Sequence, residues 1–392
     1  MKQNTTYKQT ELGLIPDDWE VKKLGEVIKL GNGKDYKHLN SGNIPVYGTG
    51  GIITYVDKYL FNGKSVGIGR KGSIDKPVLL DGKFWTVDTL FYVKEFFNSD
   101  IDFIYNSFLK IPWLKYNEAT GLPSLSQNII NNLKIPLPPL PEQKKIADCL
   151  STWDSAIEKQ SQLINALTQR KKALMQQLLT GKKRLPGFSG EWKEVKLGDI
   201  GEISSAGVDK NIVEGEKPIR LLNFLDVYRR DFLYSHEQNH WVTANDYKIE
   251  KCSIKKGDVF FTPSSEVPND IAISAVAMEN FDNVVYSYHI VRFRIKEKWD
   301  LRYKAYAFKT DEFFKQAQRI CDGSGQRYVI SQNNFKNIKI KVPSLEEQTA
   351  IAEILATADR ELQLQKEKLA HLQLQKKGLM QVLLTGKKRL IN

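Results

Sequence analysis

His236, Glu237 and His240 have the HExxH spacing with which one helical turn brings two imidazoles to a zinc ion and lets the glutamate activate water. Here Gln238 and Asn239 fill the gap, Trp241-Val242-Thr243 follow, and neither an apolar helical stripe nor a third ligand accompanies them. A polar loop entering a strand is the better reading, and no metal site is assigned. Gly67, Gly69 and Gly72 satisfy GxGxxG, but a dinucleotide fingerprint must open a helix, and Ser73-Ile74-Asp75-Lys76-Pro77 cannot start one. Gly63-Lys64-Ser65 ends like a P-loop, yet Lys58 stands where its first glycine is required. The sequence holds no Asn-Pro-Pro-Phe-like methyltransferase motif and no nuclease carboxylate cluster, so no catalytic residue is assigned.

The remaining polar chemistry lies in loops that combine basic, amide, hydroxyl and aromatic groups. Lys and Arg anchor phosphates, whereas Arg, Asn and Gln can make paired hydrogen bonds to base edges. In the first half the candidate DNA contacts are Lys34, Tyr36, Lys37, His38, Tyr47, Thr49, Arg70, Lys71, Ser73 and Ser124. Arg70, Lys71 and Ser73 follow a strand pattern that runs into a turn, where flexible glycines allow close backbone approach to a phosphate or a base. In the second half they are Ser205, Arg220, Asn223, Thr262, Ser264, Ser265, Gln326 and Arg327. Taken singly, each of these is an ordinary surface loop. Their weight depends on the elements that present them.

Those elements occur twice. The segment from Glu142-Gln143 to Leu178-Leu179-Thr180-Gly181-Lys182-Lys183-Arg184-Leu185 returns as Glu347-Gln348 to Leu383-Leu384-Thr385-Gly386-Lys387-Lys388-Arg389-Leu390, at a constant offset of 205. No gap interrupts it, as a single long helix requires, because one inserted residue would rotate everything beyond it by about 100°. Ile146, Leu150, Trp153, Ile157, Ile164, Leu167, Leu174 and Leu178 alternate at heptad spacings, and so do Ile351, Leu355, Ala358, Leu362, Leu369, Leu372, Leu379 and Leu383. This is a coiled-coil seam. Its polar interruptions also match, Gln160 with Gln365 and Lys171 with Lys376, and such residues fix register or partner choice. The alternative is a pair of amphipathic helices lying on separate cores. At about 38 residues each, the helices should be about 57 Å long.

The globular parts repeat as well. Trp19 with Leu24-Gly25-Glu26 answers Trp192 with Leu197-Gly198-Asp199, and Ser126-Gln127-Asn128 before Leu133-Lys134-Ile135 answers Ser331-Gln332-Asn333 before Ile338-Lys339-Ile340. The two openings lie 173 residues apart while the two closings lie 205 apart, so about 32 extra residues have grown inside the second unit. The expected domains are 1–140 and 187–343, strand-rich units, followed by helices within 141–186 and 344–392. Strands are expected at 65–69, 77–80, 89–93, 258–262, 271–277 and 284–293, and shorter helices at 100–110 and 302–319. Gly181 should end the first helix, before a basic run and Pro186.

A net charge of +12 and a pI near 9.2 favour a polyanionic partner. Cys149, Cys252 and Cys321 share no CxxC spacing and cannot all pair, which fits a reducing compartment and argues against a thiolate metal cage. No apolar run approaches the roughly 18 residues of a membrane span, so a cytoplasmic protein without membrane contact is expected.

Leu137-Pro138-Pro139-Leu140-Pro141-Glu142-Gln143, Leu178-Leu179-Thr180-Gly181-Lys182, the opening from Trp19 to Gly25, and Gly257-Asp258-Val259-Phe260-Phe261-Thr262 together resemble the specificity subunit of type I restriction-modification enzymes. The resemblance covers essentially the whole chain, though Leu345-Glu346-Glu347-Gln348 lacks the proline-rich lead of the first copy. It implies a mixed α+β fold. Two strand-rich α/β target recognition domains would be joined by two long helices forming an antiparallel coiled coil, a pseudo-two-fold internal repeat. It also implies a non-catalytic subunit that reads a bipartite asymmetric site in double-stranded DNA, one half per domain. The helices would set the spacer and dock two modification (methyltransferase) subunits, in company with two restriction (ATP-dependent translocase and nuclease) subunits. S-adenosylmethionine, ATP and Mg would be bound by those partners, with no cofactor in this chain. The alternative function is a non-DNA scaffold in which a coiled coil spaces two protein- or glycan-binding domains.

Overall fold

The computed structural model describes residues 6–323 and 327–390. The chain divides into two compact units that do not follow its linear order. One comprises the chain up to Gln162 together with the stretch from Lys366 onward, and the other is Leu163–Gln365. Each long helix, Leu140–Leu179 and Leu345–Leu383, is therefore shared between the units, half to each.

In the first unit a four-stranded antiparallel sheet runs Ile28–Asn32, Leu90–Phe96, Ser65–Gly69, Val78–Leu80. The central strand Ser65–Gly69 is buried along its whole length, as its small and β-branched residues allow. A second four-stranded sheet, Gly51–Val56, Ser41–Gly48, Lys83–Thr86, Phe61–Asn62, carries its own small core of Ile44, Val46, Val56, Trp85 and Val87. The helix expected over 100–110 runs Ile101–Lys110 and starts where Asp100 accepts the Phe103 N–H at 2.9 Å as its N-cap.

The second unit repeats this plan with additions. Its larger sheet has five strands, Gly201–Ser204, Val291–Ile295, Val259–Phe261, Ser274–Ala277 and Phe232–Leu233, and a three-stranded sheet joins His240–Ala244, Lys217–Leu222 and Val284–Tyr286. The strand expected over 284–293 is two strands. Ser287–Ile290 makes a turn in which the Ile290 N–H reaches the Ser287 carbonyl, and the chain passes from one sheet to the other. The helix expected over 302–319 is likewise two, Tyr303–Tyr306 and Asp311–Arg319, because the Thr310 hydroxyl accepts the Phe313 N–H and starts a new helix.

In each unit a two-stranded ribbon ties the opening to the closing segment, Glu20–Lys23 with Lys134–Leu137 and Lys193–Lys196 with Lys339–Val342. The long helices enter both cores antiparallel. Ile146, Ala147 and Leu150 from the start of one share the first core with Leu383 and Leu384 from the end of the other. Leu178 and Leu179 share the second core with Ile351, Ala352 and Leu355. Between these ends Trp153, Ile157, Ile164, Leu167, Leu174, Leu369, Leu372 and Leu379 are half-buried and Leu362 is buried, the exposure a two-helix seam leaves. The two long helices thus pack on each other, sharing a globular core at each end with the seam between, and the separate-core alternative does not hold.

The polar seam residues have partners. Lys376 Nζ lies 2.5 Å from Asp154 in the first unit, and Lys171 pairs with Asp359 in the second, at the same offset of 205. Gly181 and Gly386 both adopt φ +70°, with Lys183 N–H donating to Gln177 O and Lys388 N–H to Val382 O at 3.1 Å each. This left-handed stop closes each long helix as the glycine predicts.

Candidate nucleic-acid interface

Glu142 and Gln143, with their copies Glu347 and Gln348, are buried. Glu142 receives the Trp19 indole N–H at 2.9 Å and a paired contact from Arg389, at 2.8 and 2.7 Å. Glu347 receives the Trp192 indole N–H at 3.0 Å and a paired contact from Arg184, at 2.7 and 2.8 Å. Gln143 accepts the Asp100 N–H at 2.8 Å and donates to Pro138 O at 2.8 Å, and Gln348 does the same with Asp300 and Pro343 at 3.0 and 3.1 Å. The repeated Glu-Gln therefore fastens each globular part to its helices. The hydrogen bond to Glu142 comes first among the causes that raise the Arg389 pKa.

On this shared frame each unit opens a cleft where its buried central strand leaves the sheet. In the first unit the strand ends at Gly69, Arg70 N–H donates to Thr89 O, Leu125 N–H donates to Arg70 O, and Lys71 bridges Ser124. In the second unit Ile330 N–H donates to Pro263 O, and Ser264 pairs with Val329. Ser124 and Val329 are 205 apart, so Lys71 and Ser264 occupy one structural position. The flanking amide repeats too: Gln127 donates to the Asn32 side chain at 2.9 Å, and Gln332 lies 3.5 Å from Ser205, with Gln332 also reaching Ile203 O.

The first cleft, about 410 Å³, is lined by Arg70, Lys71 and Ser124 with Asn32, Phe91, Glu118 and Gln127. The guanidinium of Arg70 lies 5.9 Å from the centre of the Phe91 ring. Gly72 sits beside Arg70 and Lys71 at φ +89°, and Thr49 is close enough that a Cβ on that glycine would meet its hydroxyl at 3.4 Å. Ser73 follows, half-buried. Lys34, Lys37 and His38 are exposed, with His38 edge-on to Trp85 of the second sheet at 6.0 Å. Tyr36 packs against the Ile44 and Val46 core, and Tyr47 lies 6.3 Å from Phe84, so both aromatics are spent largely on packing.

The second cleft, about 520 Å³, takes in Ser264, Ser265 and Arg327, together with Phe224, Leu225, Tyr228, Glu266, Val267 and Asp270, which the sequence reading missed. The signal for these was present. Phe224 and Tyr228 stand four apart after the capping Asn223, and their rings stack at 5.9 Å and 16°. Two candidates are withdrawn by geometry. Thr262 is fully buried, its hydroxyl accepting the Ile273 N–H, and Arg220 spends its guanidinium on Ser235 O, Ser235 Oγ and Asp282 O at 3.0, 3.3 and 2.8 Å. Asn223 faces His240, 3.1 Å away. Gln326 lies outside the described residues.

His236 lies in the short turn Ser235–Glu237 and His240 begins a strand, so the HExxH spacing is not helical. Among the described residues no group of three or more His, Cys, Asp or Glu is placed to hold a metal, and no helix is long and apolar enough to cross a membrane.

Two clefts of unlike chemistry on one duplicated frame define a two-site recognition protein. The family model described as type I restriction modification DNA specificity domain matches residues 16–169 and 189–374. The chain belongs to that family. It is 27% identical over 422 residues to the type I restriction enzyme MjaVIII specificity subunit of Methanocaldococcus jannaschii, covering 96% of this chain and 95% of that one. It is 27% identical over 340 residues to a putative type I specificity subunit, S.MpnORF507P, of Mycoplasma pneumoniae, covering 84% and 85%. Among solved structures it is similar in fold to the type I restriction-modification S subunit from M. genitalium, with a TM-score of 0.55 at 16% identity over 98% of this chain and 97% of that one. A chain from a solved type I restriction-modification system gives a TM-score of 0.62 at 16% identity over 95% and 99%.

Proposed function

We propose that this chain is the sequence-specific DNA recognition subunit of a type I restriction-modification complex. Each globular unit reads one half of a bipartite, asymmetric double-stranded site. The observation that carries this reading is the equivalence of Lys71 and Ser264: one strand exit, paired with the matching loop in both units (Leu125 N–H to Arg70 O, Ile330 N–H to Pro263 O), presents different side chains. A constant frame with variable exits is what two unlike half-sites demand, since backbone contacts position a protein on DNA while side chains at the base edges specify sequence. Arg70, Lys71, Ser124 and Thr49 serve the first half-site, with Lys34 and Lys37 placed for phosphates. Ser264, Ser265 and Arg327 serve the second.

The chain has no catalysis of its own. The long helices set the spacer and dock two modification subunits, and two restriction subunits complete the assembly. S-adenosylmethionine, ATP and Mg are supplied at the partners' sites, in the cytoplasm. The test is reconstitution. Purified chain with S-adenosylmethionine and a duplex library transfers no methyl group alone, and methylates one bipartite sequence once its modification subunit is added. Turnover by the chain alone, or methylation without sequence preference in the complex, ends this reading.

A further inference from the structure

The first cleft has the charge that DNA favours, with two cations, Arg70 and Lys71, against one carboxylate, Glu118. In the second cleft the balance is reversed, with Glu266 and Asp270 against Arg327 alone. A carboxylate facing phosphates would repel the duplex, so an acid held inside a reading cleft must meet the base edges, where amino groups are the available donors.

Asp270 is held in this way. One of its oxygens accepts the Tyr228 hydroxyl at 2.6 Å, and the Tyr228 ring is in turn stacked on Phe224. The short helix Phe224–Arg229 that carries both rings is anchored through fully buried Val227 and closed at its start by a reciprocal Asn223–Asp226 cap. The hydrogen bond to Asp270 is also the leading cause that raises the Tyr228 pKa, so the phenol keeps its proton and remains the donor. The other Asp270 oxygen has no hydrogen-bond partner among the described residues and is left as an acceptor. Leu225 and Val267, each about half exposed, form an apolar wall to the same cleft. An acceptor-only group in the major groove can take the N4 amino group of cytosine or the N6 amino group of adenine. Adenine presents its N7 acceptor beside N6, which repels a carboxylate, whereas cytosine presents N4 with no acceptor on its own edge.

Resting on the DNA reading above, we propose that Asp270 recognises a cytosine in the second half-site through its N4 amino group, with Tyr228 as the positioning residue. The wall of Leu225 and Val267 suits the C5-methyl of a neighbouring thymine.

The full chain, assembled with its modification subunit, is tested on a duplex library randomised over both half-sites. The methylated sequences are then read for wild type, Asp270→Asn, Asp270→Ala and Tyr228→Phe. The expected result is that one position, cytosine in wild type, loses discrimination about tenfold or more in both Asp270 variants, and less in Tyr228→Phe, while every other position keeps its preference. The proposal is overturned if no position relaxes, if the relaxed position is not cytosine, or if all positions weaken together, as a merely structural loop contact would give. Absence of any sequence preference in the wild-type complex would instead remove the DNA reading itself, and the proposal with it.

Discussion

The two units are fastened alike and read differently. Both close with tryptophan and arginine on one buried glutamate, Trp19–Glu142–Arg389 and Trp192–Glu347–Arg184. In both, the chain leaving the buried central strand pairs with the equivalent loop, Lys71 with Ser124 and Ser264 with Val329. At that exit one unit offers Arg70 and Lys71, and the other offers Ser264 beside a tyrosine-held carboxylate. The lesson is a division of labour within one chain. Residues that hold the frame are constrained by buried geometry, while those at the strand exit line an open cleft and are free to differ. The first node also departs in one detail, since Arg389 reaches Asp18 as well, at 2.9 and 2.7 Å.

The strongest way to break this comparison is at the nodes. Glu142→Ala leaves the Trp19 indole N–H without its acceptor and the Arg389 guanidinium held by Asp18 alone, and should destabilise the first unit by about 1–3 kcal/mol. Glu347→Ala should do the same to the second. Hydrogen exchange resolved along the chain checks whether each loss stays within its own unit, and equal loss of protection in both units would sink the modular picture. At the exits, Arg70→Ala with Lys71→Ala should weaken duplex binding by about 1–3 kcal/mol if a base is read, and flatten the logarithmic salt slope by about 1 for each phosphate that is no longer neutralised. Ser264→Ala should leave that slope unchanged. A salt titration that cannot tell the two clefts apart would show that their charge difference is idle.

The helices allow a test that touches neither unit's chemistry. Inserting four residues between Gln160 and Ser161, and four after Gln365, lengthens both helices by about 6 Å while nearly preserving the seam. Under the proposed function the gap between half-sites should grow by one or two base pairs with both half-sites unchanged. A gap that stays fixed would remove the helices as the spacer.

The smallest effect concerns alkaline pH. Burial first, then Glu347, raises the Tyr303 pKa, and burial followed by the Asp359 hydrogen bond raises that of Tyr306. In the first unit burial raises Tyr92 and Tyr105. A phenol whose folded pKa is raised contributes stability that is full below its unfolded value, near 10, and is lost as pH climbs beyond it. The second unit, with the larger upward shifts, should therefore lose more stability above about pH 10, and Tyr306→Phe should soften that decline.

Much of this fold was legible because duplication supplies its own alignment. The offset of 205 placed the seam, the glycine stops and the matched lysines correctly. The strand at 65–69 was found to the residue, since glycines and a turn bound it. Pattern alone failed where a local hydrogen bond redirects the chain, at Ser287 and at Thr310. The Glu-Gln pair was visible, but its use was not, because Glu142 meets residues 123 and 247 positions away. The candidate site divided for a similar reason. Arg70 and Lys71 were found as exposed cations after a strand, whereas Arg220 has the same side chain but spends it on carbonyls that sequence cannot place. Asp270 escaped notice because an acid in a basic chain draws attention only once Tyr228 is seen to hold it.

The shared helices have a consequence for synthesis. The second unit is one contiguous stretch, Leu163–Gln365, and can close once that stretch has left the ribosome. The first unit needs Leu383, Leu384 and Arg389, so it waits until the chain has been made through the second long helix. At translation rates of roughly 5–20 residues per second, that delay is on the order of ten seconds or more, during which the Glu142 pocket has no arginine and the first core lacks its closing leucines. The part made first is finished last. A stop codon placed just before Leu383 should therefore cripple the first unit while sparing the second, which was made after most of it.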